Sequence, residues 1–289
     1  MGQTCDWPVV IEKRGDKMEE LHNAVAILQR TASQLKDILI QDANIRFQAA
    51  HPNPLNRFGR KGFSQSDEDG ITLELVRRLN LSCGTFAEFG VGNGLENNTI
   101  ILGGLGWRGF WVGGQELVFD PTPLPRLTYI RDWITRDNVL RHAEAGMAAI
   151  GTGAVDLISL DLDGNDIYIA EALLDGGILP KIFIAEYNAK FLPPAKFQIA
   201  YNSDHRWGGD DYFGAALQNF VDLFSGFGYA LVCCNAYSGA NAFFIRKDFA
   251  DRFPEVPADI RDIHVPPRYH LYSAYGHRAS PRVVETLFS

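Results

Sequence analysis

From residue 85 onward, short apolar runs alternate with helical stretches, and this alternation limits the possible folds more than any other feature. The runs are "TFAEF" (85–89), "GFWVG" (109–113), "LTYI" (127–130), "VDLISLDL" (155–162) and "KIFIAEY" (181–187). Helical patterns lie between most of them, notably around residues 137–149 and 166–175. Apolar strands separated by helices indicate a parallel sheet covered on both faces. Near the end, "YALVCC" (229–234) and "ANAFFIR" (240–246) are joined by "NAYSG", which is short enough only for an antiparallel hairpin. The pattern predicts an α/β fold whose mainly parallel sheet finishes in one reversed strand.

The stretch "FAEFGVGNGLENNT" (86–99) closes the first run with Glu88 and then places Gly90, Gly92 and Gly94 at alternate positions. In an open α/β sheet, ligands sit beyond the carboxyl ends of the strands. A dinucleotide fingerprint needs G-x-G-x-x-G, and its last position here is Leu95. No Gly-Lys-Ser or Gly-Lys-Thr follows, so a P-loop is excluded as well. What remains is acid-x-G-x-G-x-G. Its glycines let the backbone pass within van der Waals distance of a ribose and an amino-acid tail. Glu88 can offer a carboxylate to the ammonium group of such a tail. The alternative is a tight strand-to-helix turn with no ligand.

This stretch resembles motif I of class I S-adenosylmethionine-dependent methyltransferases. Together with "FSQSDEDG", "GLGWRGFWV", "DLISLDLDGND", "IAEYNA" and "GANAFFIR", it resembles the FkbM-like methyltransferases over residues 60 to 247. The resemblance implies a Rossmann-like seven-stranded sheet with its last strand antiparallel. It places the methyltransferase domain at 60–289, after an N-terminal helical extension and linker (1–59). It implies S-adenosylmethionine as cofactor and methyl transfer to a hydroxyl of a small-molecule or carbohydrate acceptor. By the same resemblance Ser64, Gln65 and Asp67 would close over the cofactor, with a helix cap as the alternative. The second strand of such enzymes normally ends in an acid that holds the ribose. Here "FWVGGQE" leaves Gln115 or Glu116 to accept those hydrogen bonds. The third strand ends "YIRDWITRDN", making Asp132, Trp133 and Ile134 candidates for the adenine pocket; for Trp133 a place in the core is the alternative.

"SLDLDGND" sets Asp161, Asp163 and Asp166 at and beyond the end of a buried strand, and "IAEYN" ends the next with Glu186 and Asn188. Buried carboxylates require donors or a cation, and adjacent strand ends about 4.8 Å apart can converge. Asp161, Asp163, Glu186 and Asn188 are therefore candidate ligands for Mg²⁺, which prefers hard oxygens. The layout is similar to metal-assisted O-methyltransferases, including macrocin-type sugar enzymes. Metal-free hydrogen bonding to substrate and purely structural capping are the alternatives, and Asp161 is also a candidate cofactor contact. Methyl transfer is an in-line displacement, so positioning dominates, and a hydroxyl acceptor must lose its proton. Asp163, Glu186 and His205, in "NSDHRWGGDDYFG", are the candidate catalytic residues. His264, His270 and His277 are further candidates for the acceptor pocket.

Ahead of the sheet, residues 17–46 read as one helix. Leu21, Val25, Leu28, Ala32, Leu35 and Leu39 fall on a single stripe, either lying on the main domain or serving as a homodimer seam. "HPNPLNRFGRKGF" (51–63) reads as a linker, and from Asp67 an amphipathic helix is expected. The net charge of −8 argues against a nucleic-acid partner. Cys5, Cys83, Cys233 and Cys234 form no C-x-x-C pair, so a reducing cytoplasm is the expected location. The first 20 residues lack the apolar core of a signal peptide, Asp6 breaks a myristoylation pattern, and no apolar run is long enough for a membrane partner. Two rivals to methyl transfer are an NAD(P)-dependent oxidoreductase and a non-catalytic assembly or binding protein on a methyltransferase shell.

Overall fold

The strands β1 (Thr85–Phe89) and β4 (Leu157–Leu160) are buried along their whole length, which requires cover on both faces of the sheet. The computed structural model describes residues 12–268 and 281–288. With β2 (Arg108–Gly113), β3 (Leu127–Arg131), β5 (Ile182–Glu186), β6 (Tyr229–Cys234) and β7 (Asn241–Arg246), these strands form one sheet in the order β3-β2-β1-β4-β5-β7-β6. The pairs β1–β2, β2–β3, β1–β4 and β4–β5 are parallel, and β7 is antiparallel to both β5 and β6. The seven-stranded, mainly parallel architecture expected from the sequence is the one that folds.

Alternate residues feed two apolar layers. Phe86, Trp111, Ile184 and Phe243 face α2 (Glu68–Arg78), α3 (Ile100–Gly104) and α7 (Pro281–Phe288). Ala87, Phe110, Ile158 and Phe244 face α4 (Val139–Ala149), α5 (Asp166–Asp175) and α6 (Leu217–Gly226). Cys233 and Cys234 fall on opposite layers and are free, as is exposed Cys83; Cys5 and Asp6 lie outside the described residues. Strand order reverses between β1 and β4, and the crevice above their carboxyl ends is where such sheets bind ligands.

Three elements differ from expectation. β4 stops at Leu160, short of the apolar run, because Asp166 accepts hydrogen bonds from the Leu162 and Gly164 amides and draws the chain out of the ladder. The stretch read as a linker contains a 3-10 turn, Pro54–Phe58, with Leu55 and Asn56 buried. Asn53 and Asn56 donate to the Val232 and Cys234 carbonyls, covering part of the free edge of β6. The helix α1 runs longer than expected, over Glu12–Ala50, and its stripe does not lie on the sheet. Leu28 and Leu39 stay 68% and 69% exposed, while Ile40, Asn44 and Gln48 anchor the opposite end. No helix among the described residues is long and apolar enough to cross a membrane.

Phe224 stacks on Phe244 at 4.2 Å between ring centroids and meets Phe183 edge-on at 4.8 Å. Replacing it with alanine is expected to cost about 3–5 kcal/mol in urea unfolding. Ile27→Ala, on the exposed helix, should stay within about 0.5 kcal/mol. Equal costs at the two positions would contradict this placement of the core.

Candidate functional site

The three glycines after β1 do different work. A Cβ on Gly90 would lie 1.6 Å from the Asp161 carbonyl, so this glycine lets the ends of β1 and β4 pass each other. A Cβ on Gly94 would press on Leu117, Phe119 and Trp111. Gly92, with φ of +51°, would meet no protein atom within 4 Å. Its bare backbone, with that of Gly90, forms a wall of a cleft of about 1140 Å³. Gly94 does not reach the cleft.

Glu88 fixes the turn from behind. One oxygen accepts from the Asn98 amide at 2.9 Å, and the other from the Thr99 amide and hydroxyl. Thr99 in turn accepts from the Trp111 indole at 2.8 Å. Burial raises the Glu88 carboxyl to about 7 against the pull of these donors. The residue touches the cleft, but its oxygens already serve the start of α3. Asn97, which the sequence did not single out, presents a buried side-chain oxygen with no partner, and it lines the same cleft.

The acids line the same cleft. Carboxylate oxygens of Asp161, Asp163 and Glu186 lie within 4.8 Å of one another. Burial, then mutual repulsion with neighbouring carboxylates, drives Asp161 and Glu186 well above the usual carboxyl range. Asp163 is raised by burial as well, with His205 opposing. Its backbone is left-handed, φ 55°, a conformation that costs a side-chain-bearing residue about 1 kcal/mol. Asp166 faces the turn behind them, and one Glu186 oxygen has no partner. Asn188, expected as a fourth ligand, is turned elsewhere. It donates to the Asp211 and Phe213 carbonyls and accepts from the Lys190 amide, so its amide holds the following loop.

His205 rests on the bare backbone of Gly164, where a Cβ would sit 2.2 Å from its ring, and its Nε2 is buried with no partner. The Asn202–Trp207 segment that carries it is pinned over the strand ends. The Trp133 indole donates to the Ser203 carbonyl at 2.7 Å, Arg206 lies 4.8 Å over the same ring, and Asn165 donates to the Asn202 carbonyl. Trp133 is thus a half-exposed cleft residue and not part of the core. Gln65, Gln115 and Ile134 also line the cleft.

Other candidates fall away from it. Ser64 is buried against Asp69, and Asp67 is held by Asn235, Gln48 and the Ala236 and Tyr237 amides. Glu116 is exposed, 3.6 Å from Arg131. Asp132 accepts from the Trp133 amide and turns its other oxygen toward His142. His264 is buried against the Ala189 carbonyl, while His270 and His277 lie outside the described residues. No protein-family model matches this sequence, and no curated protein does either.

The buried carboxyls have a consequence for stability. Glu88 rises from its ordinary 4.5 to about 7, and Asp67 from 3.8 to about 7 through burial and then the Glu68 charge. The fold keeps these protons where the unfolded chain has lost them. The stability they contribute is full below the unfolded values and is lost as pH rises through about 7. Unfolding free energy should therefore fall between pH 5 and 8. Glu88→Gln should flatten that slope by up to about 1.4 kcal/mol per pH unit. A variant slope identical to wild type would refute a protonated Glu88.

Proposed function

We propose that the protein is an S-adenosylmethionine-dependent methyltransferase acting on an oxygen of a small-molecule or carbohydrate-like acceptor. The observation that carries this reading is the side-chain-free backbone at Gly92, open to a cleft at the β1–β4 switch point that three clustered carboxyls also line. A ligand that must lie flush against a peptide edge finds such an edge there. The resemblance of residues 60 to 247 to FkbM-like methyltransferases supports the same reading.

The cleft residues suit the cofactor's parts. Gly90 and Gly92 supply the close backbone surface, Gln115 a ribose partner, and Trp133 with Ile134 an apolar cover for the adenine. Asn97, whose oxygen has no protein partner, suits the ammonium of the amino-acid tail better than Glu88 does. Bound there, S-adenosylmethionine supplies an electrophilic methyl group. The chain's own task is to hold an acceptor hydroxyl in line with it and to take the proton. His205 and Asp163, which line the same cleft, fit the role of base, and Glu186 has an oxygen with no partner among the described residues with which to orient the hydroxyl.

The same three acids fit a divalent ion such as Mg²⁺. Asp161, Asp163 and Glu186 would hold it, and its charge would offset the repulsion that raises the partly buried Asp161 and Glu186 and lower the pKa of the acceptor hydroxyl. The free state of Cys83, Cys233 and Cys234 suits a cytoplasmic setting.

Two substitutions test the reading. Gly92→Val puts a side chain on the open face, at a left-handed position where it carries a strain of about 1–3 kcal/mol, and should abolish calorimetric binding of S-adenosylmethionine while far-UV circular dichroism shows the fold retained. Unchanged binding would refute the cofactor assignment. In a labelled-methyl assay against a panel of sugars and small alcohols, Asp163→Asn should lower turnover by roughly 10²–10⁴-fold. Cofactor affinity should change little, and wild-type turnover would remove the acidic wall from the chemistry.

A further inference from the structure

The helix α1 carries an apolar seam that the other described residues leave uncovered. Met18, Leu21, Val25, Leu28, Ala32, Leu35 and Leu39 recur at alternating steps of three and four, and all are exposed. The seam ends where the helix docks. The next two positions in the series are Asp42 and Arg46, which pair with each other at 2.9 Å, and from Ile40 onward burial moves to another face through Asn44 and Gln48. One stretch of α1 is therefore an anchor and the other a free ridge.

We propose that this ridge pairs with the same ridge of a second copy of the chain, forming a two-helix coiled coil. The spacing fits a repeat in which leucine occupies every second seam position (Leu21, Leu28, Leu35), with Met18, Val25, Ala32 and Leu39 between; of these, the β-branched Val25 is the type that favours two strands. An identical helix offers the complementary knobs and holes by symmetry. The surface is sufficient. Six or seven such side chains, at roughly 100 Å² of apolar surface each, remove about 1,400 Å² from water over two copies. That lies within the range of a standard stable interface. The flanking positions Ala24, Thr31 and Ile38 are uncharged and widen the ridge without repulsion. A lipid surface fits less well. Residues 17–46 hold Lys17, Arg30, Lys36 and Arg46 against Glu19, Glu20, Asp37 and Asp42, a balance that leaves no basic face for anionic headgroups.

Sedimentation equilibrium of the full chain tests the pairing without reference to the cleft. The wild-type protein should sediment at twice the monomer mass at tens of micromolar. The Leu28→Lys/Leu35→Lys double variant should dissociate at least 100-fold more readily. Its near-UV circular dichroism should remain that of the wild type, since both side chains lie clear of the sheet. Ile27→Lys, exposed beside the seam, should leave the dimer intact. A monomeric wild type, a dimer that survives the double substitution, or equal dissociation by Ile27→Lys would each overturn the proposal. None of these outcomes bears on cofactor binding, which is read separately by calorimetry.

Discussion

Two strand ends that pass each other too closely for a side chain organise everything above the sheet. The Asp161 amide donates to the Phe89 carbonyl at 3.0 Å, extending the β1–β4 ladder by one bond, and the Asp161 carbonyl then occupies the space a Gly90 Cβ would need. This contact delivers the glycine turn and the first acid to the same crevice. Remove it, and the open face of Gly92 no longer confronts a carboxylate. The remaining features lock the two sides. Glu88 binds the turn to α3, and Asp166 binds the acidic turn to α5, each through backbone amides that would otherwise be unpaired.

Electrostatically the crevice holds more acceptors than donors. Of its three clustered carboxyls Asp161 and Glu186 are partly buried and Asp163 is exposed, and their mutual repulsion disfavours full ionisation without a compensating charge or donor. Among the described residues no lysine or arginine pairs with them: Lys190 is paired with Asp211, and Arg206 is stacked on Trp133. Glu186, Asn241 and Asn97 keep oxygens without protein partners along the same walls. A cleft rich in unmet acceptors selects ligands rich in donors, such as ammonium groups, hydroxyls and cations. The lone-pair inventory thus narrows the ligand class before any shape is considered.

How much of this the sequence revealed depended on whether a signal was local. Strands buried on both faces leave continuous apolar runs, so all seven were legible, and the short "NAYSG" connection fixed the reversal of β7. The acids were legible because they stand at strand ends. Their partners were not. Asn188 sits as close in sequence to Glu186 as a ligand would, yet its amide answers to the Asp211 and Phe213 carbonyls on a later loop. Proline and glycine marked residues 51–63 as a linker, but nothing local says that Asn53 and Asn56 meet the edge of β6, about 180 residues away. The glycines were read as one unit because their spacing is one unit. Their separate roles depend on Asp161, Leu117 and Phe119, which only the fold brings near.

The anchor of α1 and the acidic wall share a single buried network, which ties the helix to the site. Gln48 donates to Asp67, and Asn235 bridges Asp67 to Glu68. Asn241 donates to Glu68 and pairs across the ladder with Glu186. The Asn235 amide has four acceptors within reach for only two protons, so the neighbouring Ser66 and Ser238 hydroxyls must complete the pattern. A network this dense in acids and amides tolerates few arrangements, because any lost partner leaves a buried group unsatisfied. The direction in which α1 leaves the domain and the position of the Glu186 strand end are therefore set by the same hydrogen bonds. In the proposed pairing, a ridge held this firmly at its base would meet its partner already oriented, and less freedom would be lost when two copies met.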